Sequence, residues 1–311
     1  MSPLSSTRLM FISVALLLAA CLPAHSPTPI PVSTPTVTAV PHSCQVGMWA
    51  RQTPYHWEHD CEPYTSEHFI VYSDGARLED KVRFAEEAEK SYAYILTTLL
   101  IKADELRFPA GHEQIEIFAS TRHLHEFGGG FAYYVGFLFN YDSGSYRMTA
   151  TRWPQVFQFA PLFTHEITHT VAFLLSGYGS RDSLLVSTWF DEGLAVYVSR
   201  DDPYYISSLA QWDTLRQSLA AVPGQGNPLL INLWEDIPGE YFTQELMDKL
   251  YAIFELAVRY LVDSYGIEKC KQVYIDSRLG ISFEQSFANQ FGFSLQEYQD
   301  TFFNLMQAYL P

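Results

Sequence analysis

The sequence predicts an α+β fold: a small mixed sheet carrying one long helix, followed by a lobe made of helices alone. Three observations lead there. Short β-branched and aromatic runs are confined to the first half of the chain, at 68–73, at 114–119 and on either side of 140–144. Between the first two, from Leu78 to Ile101, apolar residues (Val82, Phe84, Ala85, Ala88, Tyr92, Ile95, Leu99) recur at three- and four-residue steps, with Glu and Lys on the other face. From Pro161 onward the texture becomes helical throughout. At 311 residues and 48% apolar content the chain can bury a substantial core.

The N-terminus stands apart from that fold. Arg8 supplies a minimal basic region and Met10 to Leu18 an apolar one, too short for a permanent membrane span. The stretch Leu18-Ala19-Ala20-Cys21 resembles the bacterial lipobox, in which cleavage precedes the cysteine and the cysteine then carries lipid. Residues 1–20 therefore read as a signal peptide, and Cys21 as a membrane attachment. Residues 21–43 are rich in Pro, Thr and Ser with almost no charge, so they cannot bury enough apolar area to fold and read as an extended tether. Of the four cysteines, Cys44 and Cys61 can pair in an oxidising compartment, though spacing alone does not decide it, and Cys270 reads as a small buried apolar residue. A net charge of −16 without a basic cluster argues against nucleic acid as a partner.

Residues 44–311 then form a single domain, with the sheet lobe at about 66–152 and the helical lobe at about 153–311. His68 to Ser73 is a strand closed by Asp74-Gly75, and Gln114 to Ala119 is a second. Tyr133 to Phe139 and Ser145 to Thr151 suit a hairpin turning through Asn140-Tyr141-Asp142-Ser143-Gly144. Pro161 suits a first helical position and Ser176-Gly177 an end, which bounds a helix at 161–175. Further helices are expected from Trp189, over 201–221, over 243–264 up to Gly266, and over 267–277 and 294–308. A cleft between the two lobes is a common place for a substrate.

The helix at 161–175 carries Phe163-Thr164-His165-Glu166-Ile167-Thr168-His169. Four residues apart, His165 and His169 rise from one helix face, where both imidazoles can reach one tetrahedral Zn²⁺. Glu166 lies about 100° round the helix from His165, off the histidine stripe but placed to act as a general base. A catalytic zinc site needs a third protein ligand. Glu192, in Trp189-Phe190-Asp191-Glu192-Gly193-Leu194-Ala195, stands 23 positions after His169, enough for one helix to end and another to cross back over it. Ordinary helix-start chemistry also accounts for this stretch, with Thr188 as cap and Asp191 completing a capping box. Both readings hold together if Asp191 caps or orients while Glu192 ligates.

His165-Glu166-x-x-His169 followed by Asp191-Glu192-Gly193-x-Ala195 resembles the gluzincin metallopeptidases, most closely their bacterial peptidase-MA-like domain. Glu67-His68-Phe69-Ile70-Val71-Tyr72 is similar to that family's opening strand, and Phe283 to Phe287 with Phe291 to Tyr298 to its closing helices, so the resemblance covers about 66–308. It implies a thermolysin-like zincin architecture, one Zn²⁺ held by His165, His169 and Glu192, and Glu166 as base. Tyr251, with Leu256-Ala257-Val258-x-Tyr260-Leu261 after it, resembles the tyrosine that steadies the oxyanion in aminopeptidase-type gluzincins. As one of 20 tyrosines at helical spacing, it reads equally as core. Those aminopeptidases carry a glycine-rich strand ending in a glutamate that holds the substrate amine. Here Gly128-Gly129-Gly130-Phe131-Ala132-Tyr133 lacks the glutamate, which points to endopeptidase action; the glycines suit a loop or a close approach of peptide backbone. His123 and His125 were weighed as a second metal site and read instead as facing solvent or sheet. The implied protein is a monomeric zinc metalloendopeptidase that cleaves peptide or protein substrates through a metal-activated water, anchored outside the cytoplasmic membrane by Cys21. The alternative is a non-catalytic lipoprotein that binds peptide or cell-wall material on the same fold.

Overall fold

The β-branched runs pair as a mixed sheet in the order β1-β2-β3-β5-β4, formed by β1 (Tyr64–Thr65), β2 (Phe69–Ser73), β3 (Ile115–Ser120), β4 (Gly130–Tyr133) and β5 (Gly136–Asn140). The structure is a computed structural model that describes residues 63–73, 78–120, 130–133, 136–140, 160–177, 186–199, 204–220, 227–230 and 243–311. All of these belong to a unit spanning Ser43–Pro311. The signal, Cys21, the tether, Cys44, Cys61, His123, His125, Gly128, Gly129 and the strand expected at 145–151 lie outside the described residues.

β2 and β3 run parallel, with Phe69 beside Ile115 and Val71 beside Ile117. A parallel pair needs a crossover, and α1 (Leu78–Thr98) supplies it. Ile115, Ile117 and Ala119 alternate onto the same sheet face as Phe69 and Val71, and all five are fully buried in one core with Phe84, Ala88 and Ile95 of α1.

Glu116 points to the opposite face, as does Phe118, whose ring stacks on Tyr72 at 4.9 Å. Glu116 is only 3% exposed, and its Oε2 has no hydrogen-bond partner among the described residues. Burial pushes its carboxyl up to about 7. Below the unfolded value near 4.3, both folded and unfolded chains hold the proton. As pH rises from there to about 7 the unfolded chain releases it first, so stability is lost across that window and stays lower above it. Glu116→Gln is therefore expected to stabilise the fold by about 2 kcal/mol at pH 8 and by about nothing at pH 4. Urea melts at the two pH values check this; an equal effect at both would contradict it.

β5 lies parallel to β3 and antiparallel to β4, which is the last strand of the sheet among the described residues. This corrects the expectation of one strand from Tyr133 to Phe139. Tyr133 pairs back onto Gly136, so β4 and β5 are two strands of one antiparallel pair. Gly136 is the run's only turn-favouring residue and by itself a weak mark of a reversal, so the ladder pairing decides the break. Gly130, expected in a glycine loop, opens β4.

The helical lobe comprises α2 (Ala160–Leu175), α3 (Thr188–Ser199), α4 (Leu209–Ala220), α5 (Gln244–Tyr265), α6 (Ile267–Arg278), α7 (Phe283–Phe291) and α8 (Leu295–Tyr309). Together with the sheet lobe it makes an α+β arrangement dominated by helix. α4 begins later than the 201–221 expected. Gln211 Oε1 accepts from the Ser207 backbone N–H at 2.8 Å, and the Ser208 hydroxyl accepts from Gln211 N at 3.4 Å, so these serines cap the helix and residues 204–208 become a strap. α5 starts where expected, with the Thr243 hydroxyl accepting from Leu246 N at 3.2 Å, and stops at Gly266, whose φ is +92°. Among the described residues no helix is long and apolar enough to cross a membrane.

α2 joins the lobes. It packs against α1, β4 and β5 on one side and against α3 on the other. α3 in turn lies tightly on α5, because a Cβ at Gly193 would overlap the Phe254 carbonyl. The Gly in Glu192-Gly193-x-Ala195 thus lets the helix carrying Glu192 approach. Gly193→Ala is expected to cost about 3 kcal/mol or more, since the obstacle is backbone rather than a movable side chain. A denaturation midpoint unchanged from wild type would contradict it.

Candidate metal centre

Phe163, Ile167 and Leu174 form the core stripe of α2 and are fully buried. His165 and His169 fall roughly 180° round the helix from that stripe, on the side covered by α3. Their Nε2 atoms stand 3.1 Å apart, with the rings at 80° to each other. The first turn of α3, held by hydrogen bonds from Phe190 N and Asp191 N to the Ser187 carbonyl, presents Asp191 and Glu192 to them. Glu192 Oε2 lies 3.3 Å from both Nε2 atoms. The ligand atoms of His165, His169 and Glu192 all fall within 4.8 Å of one another, a group that can hold a metal ion.

Asp191 orients the His169 ring. Its Oδ2 lies 2.7 Å from His169 Nδ1, and its Oδ1 accepts from the Tyr274 hydroxyl at 2.8 Å. A proton on His169 Nδ1 facing that carboxylate leaves Nε2 with its lone pair toward Glu192. Glu192 Oε2 is buried and accepts no hydrogen bond among the described residues. A buried carboxylate oxygen facing two imidazole nitrogens asks for positive charge between them, a proton or a metal ion. The electrostatics show the same demand for positive charge. Burial opposes charge on both His169 and Glu192, yet Asp191 and Glu192 raise His169 well above its ordinary value, and His169 and His165 hold Glu192 far below the carboxylate range.

Glu166 is 6% exposed, and burial raises its carboxyl above the ordinary value against the pull of His165 and His169. Tyr251, on α5, is brought to the same place: its ring centroid is 6.0 Å from that of His165. Burial, then Glu192 and Glu166, push its phenol well above 10, so it remains a hydrogen-bond donor at neutral pH. All five residues singled out from the sequence, His165, Glu166, His169, Glu192 and Tyr251, thus come together, as does Asp191.

Two neighbours were not singled out. Tyr274 reaches Asp191 across 83 positions, and the only sign of it in the sequence is the inward stripe Cys270, Val273, Tyr274 on α6. Tyr204, on the strap before α4, meets the Tyr251 ring edge-on at 5.7 Å and donates to Asp248 Oδ1 at 3.3 Å. The helix expected over 201–221 hid it. No protein-family model matches this chain, and no curated protein matches it.

Proposed function

We propose that this chain is a zinc-dependent metalloendopeptidase of gluzincin type, with thermolysin-like zincin architecture, tethered outside the cytoplasmic membrane through lipid on Cys21. The observation that carries it is Glu192 Oε2, buried without a hydrogen bond and equidistant from two imidazole nitrogens. Zinc–ligand bonds of about 2.0–2.1 Å at tetrahedral angles set ligand atoms about 3.3–3.4 Å apart. The three separations here, 3.1, 3.3 and 3.3 Å, match that spacing. Two nitrogens and one carboxylate also suit zinc better than calcium or magnesium, which favour oxygen ligands.

Zinc held there supplies Lewis acidity toward a peptide carbonyl and acidifies a water. The protein's own groups do the rest. Glu166, its proton affinity raised by burial, takes the proton of the attacking water and returns it to the departing amine. Tyr251, held protonated beside His165, donates a hydrogen bond to the developing oxyanion. Among the described residues β4 is the last strand of the sheet and packs against α2, a place where an extended peptide can lie, and its sequence carries no glutamate to hold a free amine. That favours internal bonds as substrate.

Tyr251→Phe is expected to lower kcat by about 10²-fold with little change in KM, because the lost bond exists only in the transition state. A loss confined to KM would contradict the role. The proposal as a whole is tested by digesting a broad peptide library with the wild-type protein, with and without chelator. Internal cleavage abolished by chelator and restored by zinc is the expected result. Stoichiometrically loaded protein that leaves every peptide intact favours the non-catalytic binder of peptide or cell-wall material.

A further inference from the structure

We propose that Tyr274 is a positioning residue of the metal centre: its hydroxyl anchors Asp191 so that Asp191 can fix the His169 imidazole, and so sets how tightly the triad grips its ion. The inference rests on the zinc reading above. Asp191 sits in the first turn of α3 and has two rotatable side-chain bonds. One hydrogen bond, to His169 Nδ1, would leave its carboxylate free to swing about that contact. The second, from Tyr274, removes the freedom: Oδ1 and Oδ2 are each engaged, at 2.8 and 2.7 Å, on opposite sides. Tyr274 itself has no latitude. It is 0% exposed, and its ring packs against Phe190, the residue preceding Asp191, at 5.9 Å. A line of contacts therefore runs from the core of α6 through α3 to Nδ1 of His169 on α2, the ring nitrogen opposite the one that faces Glu192. Groups that orient a ligating histidine commonly change metal affinity 10- to 100-fold when removed. Tyr274 acts one step further out, so a smaller part of that range is expected.

The test is zinc affinity, measured by competition with a chromophoric chelator, in wild type and in Tyr274→Phe, which deletes one oxygen. A roughly 10-fold weaker Kd is expected. In an Asp191→Ala background the same change should alter Kd by less than about twofold, because the anchored group is gone. Tyr298→Phe serves as the control. That hydroxyl is equally buried but donates to the Ala257 carbonyl, so its loss should lower the melting temperature of the metal-free protein and leave Kd unchanged. The visible spectrum of the Co²⁺ form should shift in Tyr274→Phe and not in Tyr298→Phe. If Tyr274→Phe does not fold, fluorotyrosine at position 274 keeps the ring and changes only donor strength, and Kd should then move by at least about twofold. A Tyr274→Phe protein with wild-type Kd, or a constant Kd across fluorotyrosine forms, overturns the inference and leaves the zinc site standing. A wild-type protein that binds no zinc overturns both.

Discussion

Glu166→Gln is expected to retain zinc and to lose about 10³-fold in turnover. Gln keeps the shape of the side chain and cannot accept a proton, so only the base is removed. The ligand atoms are untouched: His165, His169 and Glu192 close on one another without Glu166. Burial raises the proton affinity of the Glu166 carboxyl, the direction a general base needs. KM should change little, since Glu166 touches the proton in flight rather than the resting substrate. Metal content by mass spectrometry and peptide turnover on the same preparation check both halves. A Glu166→Gln protein that cleaves as fast as wild type would remove Glu166 from the mechanism.

Glu192→Ala is expected to show the opposite signature: folding should persist and zinc should be lost. Two histidines one turn apart remain, and they bind zinc far more weakly than a three-ligand set closed by an anionic oxygen. A loss of about 10³-fold or more in affinity is expected, with activity falling in parallel at limiting zinc. Linkage provides an independent reading. At 100 times Kd, zinc stabilises the wild-type fold by about 2.7 kcal/mol, a rise in melting temperature that Glu192→Ala should not show. Asp191→Ala should keep part of that rise, because Asp191 only orients His169. Equal rises in wild type and Glu192→Ala would exclude Glu192 as a ligand.

What the sequence makes legible here is what short-range geometry determines. The stripes of α1 and α5 and the stop at Gly266 follow from helical period and cap chemistry, and the structure places all three where that period puts them. His165, Glu166 and His169 are within one another's reach because one helical turn makes them so. Glu192 needed an added step, the idea that a second helix crosses back, and Gly193 shows why that crossing is possible. The rest depended on partners chosen at a distance. The break between β4 and β5 is decided by ladder pairing, and the start of α4 by a serine cap that lies later than the start expected at 201. Local chemistry permits Asp191 both to cap and to orient. Its second partner, Tyr274, comes from another helix, where nothing in the sequence around Asp191 points.

The most direct measurement is the zinc content of the purified wild-type chain. The account predicts one zinc per chain, bound tightly enough to survive gel filtration, removed by chelator and taken up again in the same amount. A folded wild-type protein that stays empty after zinc is offered at neutral pH would contradict it.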